Sequence, residues 1–130
     1  MTTEELNAAL NIAKKIKRLQ AQLDDIHITG IPGSTGGNSP VQGGSKLSAA
    51  VVAAELTSEI ESLQDKLRLE QAIIARYIGK KDLEVVERRL LMLRYVKCLE
   101  WGNVARCLGY SLSHTFRLHQ QLEKMIVDES

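Results

Sequence analysis

Two stretches of the chain repeat an apolar residue at alternating steps of three and four positions. The repeat occupies residues 9–26 and residues 53–77, where Glu70 interrupts it. Such spacing places apolar side chains in one narrow stripe along an α-helix. The stripe positions are Ala9, Ile12, Ile16, Leu19, Leu23 and Ile26 in the first stretch, and Ala53, Leu56, Ile60, Leu63, Leu67, Ile74 and Tyr77 in the second. The pattern predicts two long helices, over residues 1–28 and 46–79, whose stripes each need a partner.

The segment between the two helices, residues 29–45, is dominated by residues that break regular structure. It reads TGIPGSTGGNSPVQGGS and holds six Gly and two Pro within residues 30–44. We predict a flexible, disordered linker here. Such a linker spans about 20–25 Å, more than the roughly 10 Å between packed helix axes. We therefore predict that the two helices form a long antiparallel, coiled-coil-like hairpin. The linker allows this geometry without requiring it, and pairing of the same stripes between chains, in a dimer or four-helix bundle, remains open.

The last segment, residues 80–130, predicts further helices in a compact domain. Asp82 is the expected N-cap of the first of them. Its apolar face carries Leu83, Val86, Leu90 and Leu93, and is widened by Leu91, Tyr95 and Cys98. The C-terminal turns of the second long helix extend past the first helix, so we expect them to pack on this domain. Because aromatic residues make up only 4% of the chain, an all-β fold is disfavoured and the predicted fold class is all-α.

Residues 101–120, WGNVARCLGYSLSHTFRLHQ, have the spacing of a helix-turn-helix motif. Ala105 lies where the two helices meet, and Gly109 lies in the turn, where a left-handed backbone favours glycine. Ser111 or Ser113 is expected to cap the second helix. The expected inward positions are Val104, Leu108, Tyr110, Thr115 and Leu118.

The outward face of that second helix carries side chains suited to DNA. Arg117 can pair bidentately with guanine, and Gln120 and Gln121 can address adenine. Apolar side chains there can contact a thymine methyl group, and the helix start can hold a phosphate. The candidate DNA-binding residues are Ser111, Leu112, Ser113, His114, Phe116, Arg117, Gln120 and Gln121, with Arg88 and Arg89 on the preceding helix.

Charge limits the kinds of partner. The chain has 17 Lys and Arg against 16 Asp and Glu, so its net charge is +1, which excludes a polycation that binds nucleic acid by charge alone. Residues 80–130 hold an excess of only two positive charges, nine against seven. We therefore expect modest affinity per chain and a homo-oligomer formed through the helical hairpin. No apolar run suits a membrane span, and the acidic N-terminus is unlike a secretory signal, so we expect a cytoplasmic protein.

Catalytic and metal-binding patterns are missing from the sequence. Cys98 and Cys107 form no C-x-x-C pair, and His114 and His119 are five positions apart, on different faces of a helix. The glycines of residues 30–44 lack the lysine pattern of a phosphate-binding loop. We expect no metal, no cofactor and no enzymatic activity.

Residues 88–125 resemble region four of bacterial sigma factors. The resemblance is carried by LRY at 93–95, VA at 104–105, LGYS at 108–111 and RLH at 117–119. In architecture the whole chain is similar to the small late-gene transcription regulators of phages that infect Gram-positive bacteria, the RinA, ArpU and LtrC type. The resemblance implies a sequence-specific activator that binds double-stranded DNA and acts with host RNA polymerase.

Two positions depart from the sigma pattern. Asn103 stands where sigma factors usually have Glu, and Thr115 stands at a buried position usually filled by Val or Ile. Because Thr is nearly isosteric with Val, the fold tolerates it, but its hydroxyl needs an acceptor.

Two other functions fit the same residues. A protein-binding adaptor or anti-repressor would use the helical hairpin without touching DNA. A purely structural coiled-coil subunit would bind neither DNA nor polymerase. Salt-dependent binding to DNA separates the regulator from both.

Overall fold

The computed structural model describes residues 1–29 and 45–127, and every regular element in these ranges is helical. The fold class is therefore all-α, as predicted. The elements are α1 (Thr3–Leu6), α2 (Ala8–Thr29), α3 (Ser45–Lys80), α4 (Val85–Leu91), a π-helical turn (Met92–Val96), α5 (Trp101–Leu108) and α6 (Leu112–Ile126). The predicted linker lies, apart from its two end residues, outside the described residues. None of the described helices is both long enough and apolar enough to cross a membrane.

The predicted first helix is divided at Asn7 into α1 and α2. Thr2 and Glu5 form a capping box around the start of α1, in which each backbone N–H donates to the other's side chain, at 2.9 and 3.2 Å. The Asn7 side chain then donates to the carbonyl of Thr3, at 2.9 Å. The backbone N–H of Asn7 donates to the same carbonyl at 3.0 Å, and Asn7 is the C-cap of this short helix.

Contacts divide the chain into two compact units, and α2 and α3 each contribute to both. One unit joins Met1–Asn11 to the described residues from Leu67 onward, and the other is Ile12–Lys66. These bounds differ from the predicted domains, which end at residues 28, 45 and 79. The difference arises because the first turns of α2 and the last turns of α3 carry core residues of the larger unit.

The smaller unit, Ile12–Lys66, buries residues of both predicted stripes. Leu23 and Ile26 of α2 and Ile60 and Leu63 of α3 are buried, and so is Ala49, which lies outside the predicted stripe. The remaining stripe positions of this unit are half-buried. Residues of both predicted stripes are thus buried within one compact unit.

The larger unit has one continuous apolar core. Leu6 of the short helix α1, Ala9 and Leu10 at the start of α2, and Ile74 and Ile78 near the end of α3 belong to it. The remaining core members come from the segment after α3: Leu83, Leu90, Leu91, Tyr95, Val104, Leu122 and Ile126. The C-terminal turns of α3 thus pack on the last segment, as expected, whereas the burial of Leu6, Leu10 and Ile78 was not predicted.

The start of α4 corrects one sequence prediction. The N-cap is Glu84, not Asp82, which is exposed. The backbone N–H of Glu84 donates to the Glu87 carboxylate at 2.9 Å, so the first turn is closed by a carboxylate three positions into the helix. Asp82 lies two residues too early to reach the free amides of α4.

The π-helical turn that follows α4 leads into a loop held by hydrogen bonds. The backbone N–H of Lys97 donates to the carbonyl oxygen of Met92 at 2.9 Å, and the backbone N–H of Leu99 donates to the carbonyl oxygen of Leu93 at 3.1 Å. Cys98 between them has a φ of 59°, a left-handed conformation that is uncommon outside glycine. The Gln71 side chain of α3 donates to the Val96 carbonyl at 2.7 Å, and these bonds fix the entry of α5.

Candidate nucleic-acid interface

A turn of three residues joins α5 to α6 and sets the angle between them. Gly109 has a φ of 74°, the predicted left-handed conformation. The N–H of Gly109 donates to Arg106 at 3.2 Å, and the N–H of Tyr110 donates to Ala105 at 3.0 Å. These bonds satisfy carbonyls at the end of α5.

The corner between α5 and α6 is closely packed. Val104 and Thr115 have no exposed surface, and Ala105 is 5% exposed. A larger side chain than Ala105 would separate the two helices, as the sequence indicates. Leu108 and Leu118, also expected inside, are half-buried at the margin of this corner.

The first turn of α6 is capped by Ser111, which decides between the two predicted caps. Its hydroxyl oxygen accepts from the backbone N–H of His114 at 3.1 Å. Ser113 is exposed on the helix surface instead. The Ser111 carbonyl accepts from the Thr115 hydroxyl at 2.9 Å, so the buried hydroxyl has the acceptor it needs.

The predicted outward face of α6 is exposed, and Arg117 lies at its centre. Ser113 precedes Arg117 by one helical turn, and Gln120 and Gln121 follow by one turn; all four side chains are exposed. Lys124, also exposed, follows by two turns on the same face. Sequence analysis missed Lys124, although its spacing of seven residues from Arg117 was a sufficient signal.

The two margins of this face differ in chemistry. On one margin, Leu112 is 45% exposed and Phe116 40% exposed. On the other margin, the His114 ring stacks on the Tyr110 ring with centroids 4.3 Å apart. His114 and Arg117 line one shallow groove together with Leu118 and Gln121. The face therefore combines a polar, basic centre with one apolar edge.

Phe116 rests on an aromatic cluster under the apolar edge. Its ring meets Trp101 of α5 edge to face, with centroids 5.3 Å apart, and Trp101 also meets His119 at 4.5 Å. The Arg94 guanidinium lies over the Trp101 ring at 4.6 Å and donates to the Leu99 carbonyl at 2.9 Å. These contacts hold α6 against α5, while Phe116 itself remains partly exposed.

His119 connects α6 to the π-helical turn through a hydrogen bond between its Nε2 and the Tyr95 hydroxyl. Burial lowers the pKa of His119; nearby Glu123 opposes this shift and Arg94 adds to it. Burial raises the pKa of Tyr95 to about 12. Both groups are therefore neutral at pH 7, and the hydrogen bond joins an uncharged hydroxyl to an uncharged imidazole.

Arg88 and Arg89, both predicted to bind DNA, are placed differently. Arg89 is exposed. Arg88 is half-buried, its Nη2 donates to the Lys81 carbonyl at 3.0 Å, and its buried Nε has no partner among the described residues. Arg88 thus ties α4 to the end of α3, whereas the Arg89 guanidinium faces solvent.

The described residues contain no group of three or more His, Cys, Asp or Glu side chains that could hold a metal ion. Cys98 is half-buried and Cys107 is exposed, and both are free thiols.

No family model matches the chain, and comparison with curated proteins and with solved structures gave no match.

Proposed function

We propose that this protein is a sequence-specific DNA-binding transcription regulator whose recognition helix is α6. The observation that carries the proposal is the outward face of α6, where Arg117 stands among exposed Ser and Gln side chains on a capped helix. Helices of this kind enter the major groove and place their first turns against base edges.

The arrangement assigns different tasks to different side chains. Arg117 reads guanine through two hydrogen bonds, and Gln120 and Gln121 read adenine. Ser113 and His114, near the helix start, hold a phosphate, as do Lys124 and Arg89 beyond it. Phosphate contacts fix the position of α6 on the duplex, and base contacts supply the sequence preference.

The resemblance to sigma region four and to phage late-gene regulators supports a more specific form of the proposal. The residues that carry it, Ala105, Gly109 and Ser111 among them, are those that pack, turn and cap the α5–α6 pair. In this form, the protein activates late genes of a phage or prophage in the bacterial cytoplasm, together with host RNA polymerase.

The second candidate function is a protein-binding adaptor that does not bind DNA. The exposed apolar edge formed by Leu112 and Phe116 favours it, because exposed apolar side chains one turn apart are typical of protein contacts. In the regulator, the same two side chains contact thymine methyl groups or a polymerase subunit.

Binding of the full chain to DNA over a range of salt concentrations tests the proposal. A high-affinity duplex is first selected from a random-sequence library, and binding is followed by fluorescence anisotropy. A regulator prefers the selected duplex over a scrambled one by about 10³-fold or more, and its affinity falls with salt. Equal affinity for both duplexes would exclude sequence-specific recognition, and no affinity for either would favour the adaptor.

A further inference from the structure

Two exposed apolar side chains lie next to each other on α3, away from the outward face of α6. Leu69 is 63% exposed and Ile73 is 47% exposed. They are four residues apart and therefore adjacent on the helix surface. With the exposed Ala72 they form a continuous patch, here called the α3 patch (Leu69, Ala72 and Ile73). Adjacent exposed apolar residues of this kind mark contact surfaces more often than isolated ones do.

Positive charge borders the α3 patch on one side. Arg76 and Lys80, both exposed, line one groove together with all three patch residues. They follow Ile73 toward the C-terminal end of α3, so this basic groove continues the patch along the helix.

Negative charge borders the patch on the other side. Ile73 also lines a second groove, whose charged side chains are Glu4, Glu5 and Glu70. Met1, with its N-terminal ammonium, lines both grooves. Glu4 is exposed and Glu70 is half-buried. Ile73 therefore lies between a basic groove and an acidic groove.

We propose that the α3 patch is the interface through which two copies of this chain form a symmetric dimer. A two-fold axis near Ile73 brings the apolar residues of the two copies together. The same axis places the acidic groove of each copy on the basic groove of the other. This follows because, in a two-fold interface, a contact between residue i of one copy and residue j of the other occurs a second time with the copies exchanged. The patch is thus complementary to itself in both apolar character and charge.

The opposite signs of the two grooves favour a second copy over other occupants. A duplex or an acidic peptide would be repelled by Glu4 and Glu70, and a basic partner would be repelled by Arg76 and Lys80. The apolar stripes, for which pairing between chains was the open alternative, are buried at Leu23, Ile26, Ile60 and Leu63. Oligomerisation through the hairpin helices therefore uses the outer surface of α3 and not those stripes.

Light scattering of the full chain without DNA, over a range of protein concentrations, tests the dimer. The expected mass is twice 14.4 kDa and falls to one chain on dilution. Leu69→Ser and Ile73→Ser should each raise the dissociation constant by about 10- to 100-fold, because each removes a large apolar contact from the interface. Val85→Ser is the matched control, since Val85 is 82% exposed on α4, outside the patch.

Charge exchange separates interface contacts from misfolding. One variant carries Arg76→Glu and Lys80→Glu, and the other carries Glu4→Lys and Glu70→Lys. Each alone should be monomeric, and an equimolar mixture should recover a mass of two chains, because the two variants complement each other. Circular dichroism verifies that each variant remains helical.

Three results would overturn the dimer: a monomeric wild-type chain at every concentration, a dimer that both serine variants leave unchanged, or a variant mixture that stays monomeric. Because DNA is absent from these measurements, they are independent of the proposed regulatory function. A chain that is monomeric but binds its selected duplex would overturn the proposed dimer and leave the proposed regulatory function intact.

Discussion

The Thr115 hydroxyl donates a hydrogen bond of 2.9 Å to the carbonyl oxygen of Ser111, the residue that caps the same helix. The Ser111 carbonyl also accepts the regular helical bond from the Thr115 backbone N–H, at 3.0 Å. The hydroxyl bond is therefore an addition to a carbonyl that is already satisfied. Thr115 occupies an apolar position of the corner between α5 and α6, and its hydroxyl is satisfied by a hydrogen bond within its own helix.

Thr115→Val should change the free energy of unfolding by less than about 1 kcal/mol, because the substitution leaves no buried polar atom without a partner. Thr115→Ser, which keeps the hydroxyl but removes the buried methyl group, should destabilise by about 1 kcal/mol. Urea unfolding followed by circular dichroism measures both. A larger loss from Val than from Ser would show that the hydroxyl, and not the methyl group, holds the corner.

Ser111→Ala should destabilise the protein by about 0.5–2 kcal/mol, because the His114 amide loses its side-chain acceptor at the start of α6. Ser113→Ala is the matched control, because Ser113 is exposed and is not the cap; its effect should stay within about 0.5 kcal/mol. The same urea titration measures both variants, and equal effects would remove the distinction between the two serines.

The sequence was most informative where one residue type meets one local requirement. Gly109 in the left-handed turn, Ala105 at the corner and the apolar stripes of α2 and α3 were all predictable. The stripes follow from the helical spacing of apolar residues. Gly109 and Ala105 follow from what a single position requires, a left-handed backbone at one and a small side chain at the other. The exposure of Arg117 and its neighbours follows from the same periodicity.

What the sequence could not show depends on packing between distant segments. Leu6 and Leu10 are buried because the start of the chain enters the core of the larger unit, which no local pattern indicates. Arg88 and Arg89 are adjacent and chemically identical, yet only the tertiary position of the Lys81 carbonyl separates their roles. The N-cap at Glu84 depended on a carboxylate at Glu87, a less common capping choice than Asp82.

Arg117→Ala should weaken binding to the selected duplex by about 1–3 kcal/mol and relax the base preference at one position. Arg18→Ala is the matched control, because Arg18 is an exposed arginine of α2 in the other compact unit. Anisotropy titrations with single-base variants of the duplex measure both effects. Unchanged specific affinity would remove Arg117 from the base-reading set.

A plot of log affinity against log salt concentration has a negative slope, and Arg89→Ala should make that slope less steep by about 0.9, the contribution of one phosphate contact. Arg88→Ala should leave that slope unchanged and instead lower the free energy of unfolding, because its guanidinium bonds to the Lys81 carbonyl inside the protein. Titrations at several salt concentrations and urea unfolding give the two readouts. A less steep salt slope in Arg88→Ala, with the slope of Arg89→Ala unchanged, would show that Arg88 and not Arg89 contacts the duplex.

The stability of the protein should fall as the pH is lowered below about 6.5, the ordinary pKa of histidine, through protonation of His119. Burial lowers the pKa of His119 in the folded state, so in this range the unfolded chain, with the ordinary pKa near 6.5, binds more protons. The contribution is complete above the unfolded pKa and is lost as the pH falls toward the folded one.

Urea unfolding at a series of pH values measures this dependence, and His119→Gln should flatten it. His27 and His114 are exposed, so His27→Gln and His114→Gln are the matched controls and should leave the slope as in the wild type. A slope that survives in His119→Gln but disappears in either control would place the titrating group elsewhere and remove His119 as its source.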